Sequence, residues 1–266
     1  MNIPISWIDQ SIDAAIKAGV AIMEVYQSDF SVESKEDKTP LTIADKRAHT
    51  IIESILPRNG VHFLSEEGKH IPFSERSNWD TFWLIDPLDG TKEFIKRNGE
   101  FTVNIALIHK GTPILGVIFA PALQDLYVGC VGQGAYKHIV GSSTQITWAF
   151  IQEHGQRLPQ QSATRPYTVV ASRSHNTPET EAYISEKRKL HPKLDCVSSG
   201  SSIKICLVAS GAADTYPRFA PTMEWDTAAG DAIARAAGKT VSQYPDFQKP
   251  LEYNKENLLN PWFLVS

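Results

Sequence analysis

Asp86 and Asp89, in the stretch Trp83-Leu-Ile-Asp86-Pro87-Leu88-Asp89-Gly90-Thr91-Lys92, are the residues of this 266-residue chain whose types and spacing best suit chemistry. The apolar run 82–85 before them predicts a short buried strand that ends at the first acid. Pro87 fixes one backbone dihedral, and Gly90 permits a turn that a residue with a Cβ resists. A stiff corner of this kind lets both carboxylates converge, which suits a hard divalent cation such as magnesium. The amides of Gly90 and Thr91 would then open onto an anion. A Pro-Asp-Gly turn with its acids in water fits the stretch, taken by itself, equally well.

Other acids stand at the ends of expected elements rather than on solvated helix faces. Glu66 follows a short strand, 61–64, in the polar loop Ser65-Glu66-Glu67-Gly68. Asp226 opens an alanine-rich helix in Trp225-Asp226-Thr-Ala-Ala-Gly230, where a capping acid is favoured in any case. Asp45 follows Thr42 by three residues, close to a capping box, so local spacing makes it a capping acid. Glu66, Asp86, Asp89 and Asp226 gathered in one cleft would repel each other unless cations neutralised them. Two or more magnesium ions would do so and leave positions for water and a phosphate oxygen.

Several elements must position these groups. Trp7, Ile8, Ile12, Ala15, Ile16, Ile22 and Tyr26 recur at helical spacing, and Ala44, Ala48, Ile51, Ile52 and Ile55 mark a second helix stopped by Pro57 and Gly60. Between them, 31–38 reads as a charged, mobile segment. Apolar runs at 101–108, 114–119 and 126–128, broken by Lys110-Gly111-Thr112-Pro113 and Ala120-Pro121-Ala122, predict an antiparallel meander. The polar, weakly patterned region 139–166 suggests a boundary near residue 150. That gives an N-terminal α+β metal-binding half, 1–150, and a C-terminal α/β half, 151–266, contributing substrate binding and one metal ligand. In the second half, 167–171 and 214–216 read as strands, and Thr177-Pro178-Glu179 as a helix start with proline in its favoured place. Gly200-Ser201-Ser202 feeds a further helix, where free amides and hydroxyls would meet an anion.

The bulk numbers exclude some classes. Net charge is −4, so no basic field marks a nucleic-acid binder. No apolar run reaches the roughly 18 residues of a membrane span, and the N-terminus reads as a poor signal peptide. Cys130, Cys196 and Cys206 form no close metal-ligand pair, and three thiols cannot all pair with one another, so a reducing cytoplasm is the simplest home.

Leu64-Ser-Glu66-Glu67, Asp86-Pro-Leu-Asp89-Gly-Thr91 and Trp225-Asp226-Thr-Ala-Ala-Gly230 resemble, in order and separation, the three signatures of the lithium-sensitive, magnesium-dependent inositol monophosphatase superfamily. Residues 92–104, Gly200-Ser-Ser-Ile-Lys204 and 216–226 are similar to its 3′(2′),5′-bisphosphate nucleotidase branch, with Ala220 where glycine is common. The resemblance implies alternating helix and sheet layers, with an N-terminal antiparallel sheet and a smaller C-terminal one. It implies two to three magnesium ions. Glu66, Asp86 and the Leu88 carbonyl would hold one ion, Asp86, Asp89 and Asp226 a second, and Glu66 would help with a third. It makes Asp45 and Thr91 the pair that orients and deprotonates the attacking water, against the capping role for Asp45, and counts Glu66 with them. Leu88, Asp89, Gly90, Thr91, Glu66 and Asp226 would surround the scissile 3′-phosphate. His175, Ser201, Lys204 and Arg218 would hold the nucleotide and its 5′-phosphate, each also fitting an ordinary surface or capping role.

The implied reaction is hydrolysis of adenosine 3′,5′-bisphosphate to AMP and phosphate, with the sulfated analogue as a further substrate, in sulfur metabolism. A small bisphosphorylated nucleotide needs one metal-bound phosphate and a second cationic pocket, which Lys204 and Arg218 can supply. The rival substrates are inositol monophosphate and fructose bisphosphate. A haloacid-dehalogenase-type phosphatase is disfavoured because two residues, not one, separate Asp86 from Asp89. A catalytically inactive nucleotide or metal sensor is the non-enzyme alternative. The expected partner is a small molecule, with no nucleic acid and no strong membrane signal. Monomer and homodimer both stay open, as does the peripheral inner-membrane location known in relatives.

Overall fold

The structure, a computed structural model, describes residues 1–28, 32–34, 40–58, 60–141, 145–160, 165–171 and 176–266, with the backbone only for 32–34 and 40–42. Helix α1, Ile5–Tyr26, is followed by the antiparallel strands β1, Val32–Ser34, and β2, Pro40–Thr42. Of the charged segment 31–38, read as mobile, residues 32–34 form a strand, while 31 and 35–39 lie outside the described residues. Helix α2, Ile43–Ile55, then β3, His62–Ser65, α3, Phe73–Arg76, and β4, Thr81–Asp89, lead into the site. Next come α4, Thr91–Ile95, and strands β5, Thr102–His109, β6, Thr112–Ala120, β7, Asp125–Cys130, and β8, Gly134–Ile139. Helix α5, Trp148–His154, and β9, Gln156–Leu158, occupy the stretch whose sequence is weakly patterned. The rest is β10, Thr168–Val170, α6, Pro178–Leu190, β11, Asp195–Val197, α7, Ile203–Ala209, β12, Tyr216–Arg218, α8, Glu224–Ala236, β13, Val241–Gln243, and β14, Phe263–Val265.

Among the described residues the main sheet has seven strands in sequence order, β3 to β9. It is mixed rather than purely antiparallel, because β3 runs parallel to β4. Both faces of β4 are covered. Trp83 and Ile85 pack in one core cluster with α1 and α2, whereas Phe82 and Leu84 pack in a second with α7 and α8. That double burial explains why the strand reads as a continuous apolar run instead of an alternation. The smaller three-stranded sheet, β12-β14-β13, puts Tyr216, Val241, Phe263 and Val265 into the second cluster. The layers are therefore helices, large sheet, helices and small sheets.

Helix α8 lies close against the large sheet because Gly116 on β6 and Gly129 on β7 sit directly opposite each other. A Cβ at Gly116 would come within 2.1 Å of the Ala229 carbonyl oxygen, and one at Gly129 within 2.5 Å of the Ile233 Cα. Paired glycines under alanines permit the approach that fixes where α8 begins, and hence where Asp226 stands.

Candidate active site

The strand carrying the two acids does not stop at the first, as its sequence suggests, but runs on to Asp89. Asp86 pairs with Asn104 and Asp89 with Thr102, so three steps on β4 match two on β5. One extra residue on β4 makes a bulge, the place in a sheet where Pro87 is tolerated. The bulge decides the chemistry. In a regular strand, residues three apart point to opposite faces. The inserted residue restores the same face, and carboxylate oxygens of Asp86, Asp89 and Asp226 all lie within 4.8 Å of one another. Past the bulge, Gly90 takes φ 92°, a left-handed turn that launches α4 with Thr91 as its first residue.

Each acid arrives on a different support. The amide of Leu88 donates to Asp86 Oδ1 at 3.0 Å, and the Leu88 carbonyl accepts from the Thr91 hydroxyl at 3.4 Å. Asp226, in the first turn of α8, accepts from the Met223 amide at 2.9 Å. It therefore does cap its helix, as local spacing predicts, while its carboxyl also joins the cluster. Asp45 is buried in the first turn of α2. Glu66 begins the turn after β3, tied to β4 by its amide donating to the Ile85 carbonyl at 3.1 Å.

The electrostatics have the character of a cation site. Burial, and then the charges of Glu66, Asp89, Asp226 and Asp45, push the Asp86 carboxyl well above the usual carboxylate range. Burial also raises Asp89, against the pull of Lys204 and of hydrogen bonds from Ser202 and Asn104. Asp226 rises to about 8 through burial and the Asp89 charge, in spite of its bond to the Met223 amide. Carboxylates crowded in this way are held apart from their preferred ionised state until a divalent cation neutralises them. The donor set, oxygen only and rich in charge, fits magnesium. Glu66 and Asp45 fall outside the three-carboxylate cluster but close enough to act on Asp86 through their charge.

A cleft of about 280 Å³ opens beside Asp89, lined by Asn176, Thr177, Ser201, Lys204, Tyr216 and Arg218 among others. A smaller hollow of about 70 Å³ joins Asp89 and Asp226 to the same Lys204 and Arg218. Burial draws the Lys204 ammonium below its ordinary value, with Asp89 pulling the other way. Arg218 donates to the Pro221 carbonyl at 3.0 Å, and its Nε is buried with no bond among the described residues. His175 lies outside the described residues. A wider hollow, about 570 Å³, runs along β3 and is not lined by Asp86, Asp89 or Asp226, so size is a poor guide to the chemistry here.

Sequence reasoning gave no role to Thr102 and Asn104 and read Ser202 only as part of an anion-facing turn; in the structure all three surround Asp89. Ser202 gives its amide and hydroxyl to Asp89 Oδ2 at 2.7 and 2.8 Å, and the Asn104 amide reaches the same oxygen at 3.4 Å. A signal was present. Thr102 and Asn104 are alternating polar residues in an otherwise apolar strand, which a fully buried strand does not need.

Comparison with known proteins identifies the family. The Inositol monophosphatase family profile matches residues 5–259. The 3′(2′),5′-bisphosphate nucleotidase CysQ of Escherichia coli strain K12 is 46% identical over 97% of this chain and 99% of its own length. CysQ of Buchnera aphidicola is 40% identical over 91% and 86%. Among solved structures, CysQ from Bacteroides thetaiotaomicron, described as a bacterial member of the inositol monophosphatase family, superposes with TM-score 0.88. It is 54% identical, over 97% of this chain and 95% of that one. Thermotoga maritima IMPase, 22% identical with TM-score 0.72 over 97% and 91%, shares the fold. With its signature acids, its layers and these relatives in agreement, the chain belongs to the inositol monophosphatase family.

Proposed function

We propose that the chain is a magnesium-dependent 3′(2′),5′-bisphosphate nucleotidase that releases the 3′-phosphate of adenosine 3′,5′-bisphosphate to give AMP. The observation that carries this is one juxtaposition: three carboxylates within 4.8 Å of each other, beside a cleft that holds both Lys204 and Arg218. Inositol monophosphate has no second phosphate to use that cationic end. Asp86, Asp89 and Asp226, with Glu66 and the Leu88 carbonyl, would hold two to three ions. When bound, these cations supply charge neutralisation on the phosphoryl group and a more acidic water.

Asp45 and Thr91 orient the attacking water, and Asp45 takes its proton. The water oxygen bonds to phosphorus as the ester P–O bond breaks, and the ribose oxygen leaves with the electron pair and gains a proton from solvent. The Asp89-Gly90-Thr91 turn presents backbone amides to the phosphate at the start of α4. Lys204 and Arg218 pair with the 5′-phosphate, and Ser201 lines the same cleft; the resemblance adds His175 to the nucleotide's contacts. The sulfated analogue, with its 5′-phosphosulfate, would enter the same way. Among the described residues no helix is long and apolar enough to cross a membrane. All three cysteines are free, and we place the reaction in the cytoplasm.

Phosphate release across a panel of adenosine 3′,5′-bisphosphate, inositol monophosphate and fructose 1,6-bisphosphate, with and without magnesium and lithium, tests the reading. The bisphosphorylated nucleotide should be preferred by a wide margin and only with magnesium. Equal turnover of inositol monophosphate would overturn the substrate assignment.

A further inference from the structure

Asp89 is held from one side. The Ser202 amide, the Ser202 hydroxyl and the Asn104 amide all donate to Oδ2, and none of the described bonds reaches Oδ1. A ligating carboxylate gains in just this way from neighbours that fix one oxygen and leave the other for the ion. Behind Ser202 the polar groups continue. Thr102 Oγ1 lies 2.9 Å from Ser202 Oγ, donates to Asn104 Oδ1 at 3.0 Å, and lies 3.0 Å from Ser201 Oγ. Ser201 lines the cationic cleft. Thr102, Asn104 and Ser202 are 0%, 1% and 3% exposed, so these three are shielded from water, while Ser201 is half-buried at the cleft. Ser202 also stands at the N-cap position of α7, which carries Lys204, without a side-chain capping bond. An unbroken line of hydrogen bonds therefore runs from the wall of the second-phosphate cleft to a carboxylate of the cation cluster.

We propose that Thr102, Asn104 and Ser202 are positioning residues that couple filling of the second-phosphate cleft to the placement of the Asp89 carboxylate. This rests on Asp89 being a cation ligand. A phosphate drawn in by Ser201 and Lys204 bonds to the same turn that holds Asp89 Oδ2 through Ser202, so nucleotide and cation each bind better when the other is present. Such coupling is reciprocal by thermodynamic necessity.

The test is a manganese titration followed by electron paramagnetic resonance and calorimetry, without and with AMP. AMP carries the phosphate of the second cleft and lacks the one that is cleaved. The proteins are wild type, Thr102→Val, which keeps volume and deletes the hydroxyl, Thr102→Ser, which keeps the hydroxyl, and Ser202→Ala. Wild type should bind manganese, with AMP raising the affinity by about 5-fold or more, the lower end of measured couplings. In Thr102→Val and Ser202→Ala the AMP effect should fall towards one, with cation affinity itself down by about 10-fold, and Thr102→Ser should restore both. Wild-type affinity and an undiminished AMP effect in the two deletion variants would overturn the proposal. If circular dichroism shows Thr102→Val unfolded, Ser202→Ala, which retains the backbone donor, decides by itself. A wild type that binds no manganese at all would instead overturn the ligand reading of Asp89, and this proposal with it.

Discussion

Asp226 shows how one side chain serves two ends at once. Its carboxylate closes the first turn of α8 through the Met223 amide and stands within 4.8 Å of two other acids. Its pKa, raised from 3.8 to about 8, has a consequence for stability. Between those values the folded protein binds more protons than the unfolded chain, so stability of the cation-free protein must fall as pH rises through that window. Thermal denaturation in chelator should show the midpoint dropping from pH 4 towards pH 8, and added magnesium should remove most of the slope. Asp86→Asn relieves the same repulsion. The cation-free variant should melt above cation-free wild type at pH 8 and yet release no phosphate. Asp45→Asn should leave manganese affinity near wild type while lowering kcat by about 10²- to 10⁴-fold, the range for a positioned general base. At this scale the acids were legible, because Asp86 and Asp89 close an apolar run and Asp226 opens a helix instead of decorating its face, although β4 carries Asp86 inside it. The roles of Thr102, Asn104 and Ser202 were not, because the polar alternation in β5 and the Gly-Ser-Ser turn mark a polar environment without saying which carboxylate they serve.

At the scale of elements, the bulge in β4 and the glycine seat of α8 bring the carboxylates together. Neither acts locally. The bulge turns Asp86 and Asp89 to one face, and Gly116 and Gly129 let α8 approach near enough to deliver Asp226. Gly116→Ala would force the helix outward, since the new Cβ would sit 2.1 Å from the Ala229 carbonyl oxygen. Overpacking of this kind costs about 1–3 kcal/mol. Chemical denaturation should register that loss, and a manganese titration should show weaker binding although no ligand has been touched. The long helices and the meander could be read from periodicity. The end of β4 could not, since its apolar run stops at Ile85 while the pairing to β5 continues to Asp89. Strands of three residues carry few alternations: β9, β13 and β14 went unread, whereas β10 lies within the run 167–171 and β12 meets 214–216 only at Tyr216.

Over the whole molecule, the site lies where sequence-distant parts meet: two acids from β4, one from α8, and the cationic cleft from α7 and β12. We propose the division near residue 150 as a functional one, with the cation ligands mainly before it and the substrate groups after it. The seven-stranded sheet nevertheless takes its last strand, Gln156–Leu158, from beyond that point. If the division of labour holds, Lys204→Met should raise KM for adenosine 3′,5′-bisphosphate by about 10- to 100-fold, the worth of one bond to a charged group. The same change should leave the low activity on singly phosphorylated substrates nearly unaltered, as steady-state kinetics on both would reveal.

The most direct measurement is anomalous diffraction at the manganese edge from a crystal soaked in manganese. Strong peaks should stand between Asp86, Asp89 and Asp226, with a further one towards Glu66 and the Leu88 carbonyl. Soaked crystals with no peak there, and with the three carboxylates turned away from one another, would contradict the account.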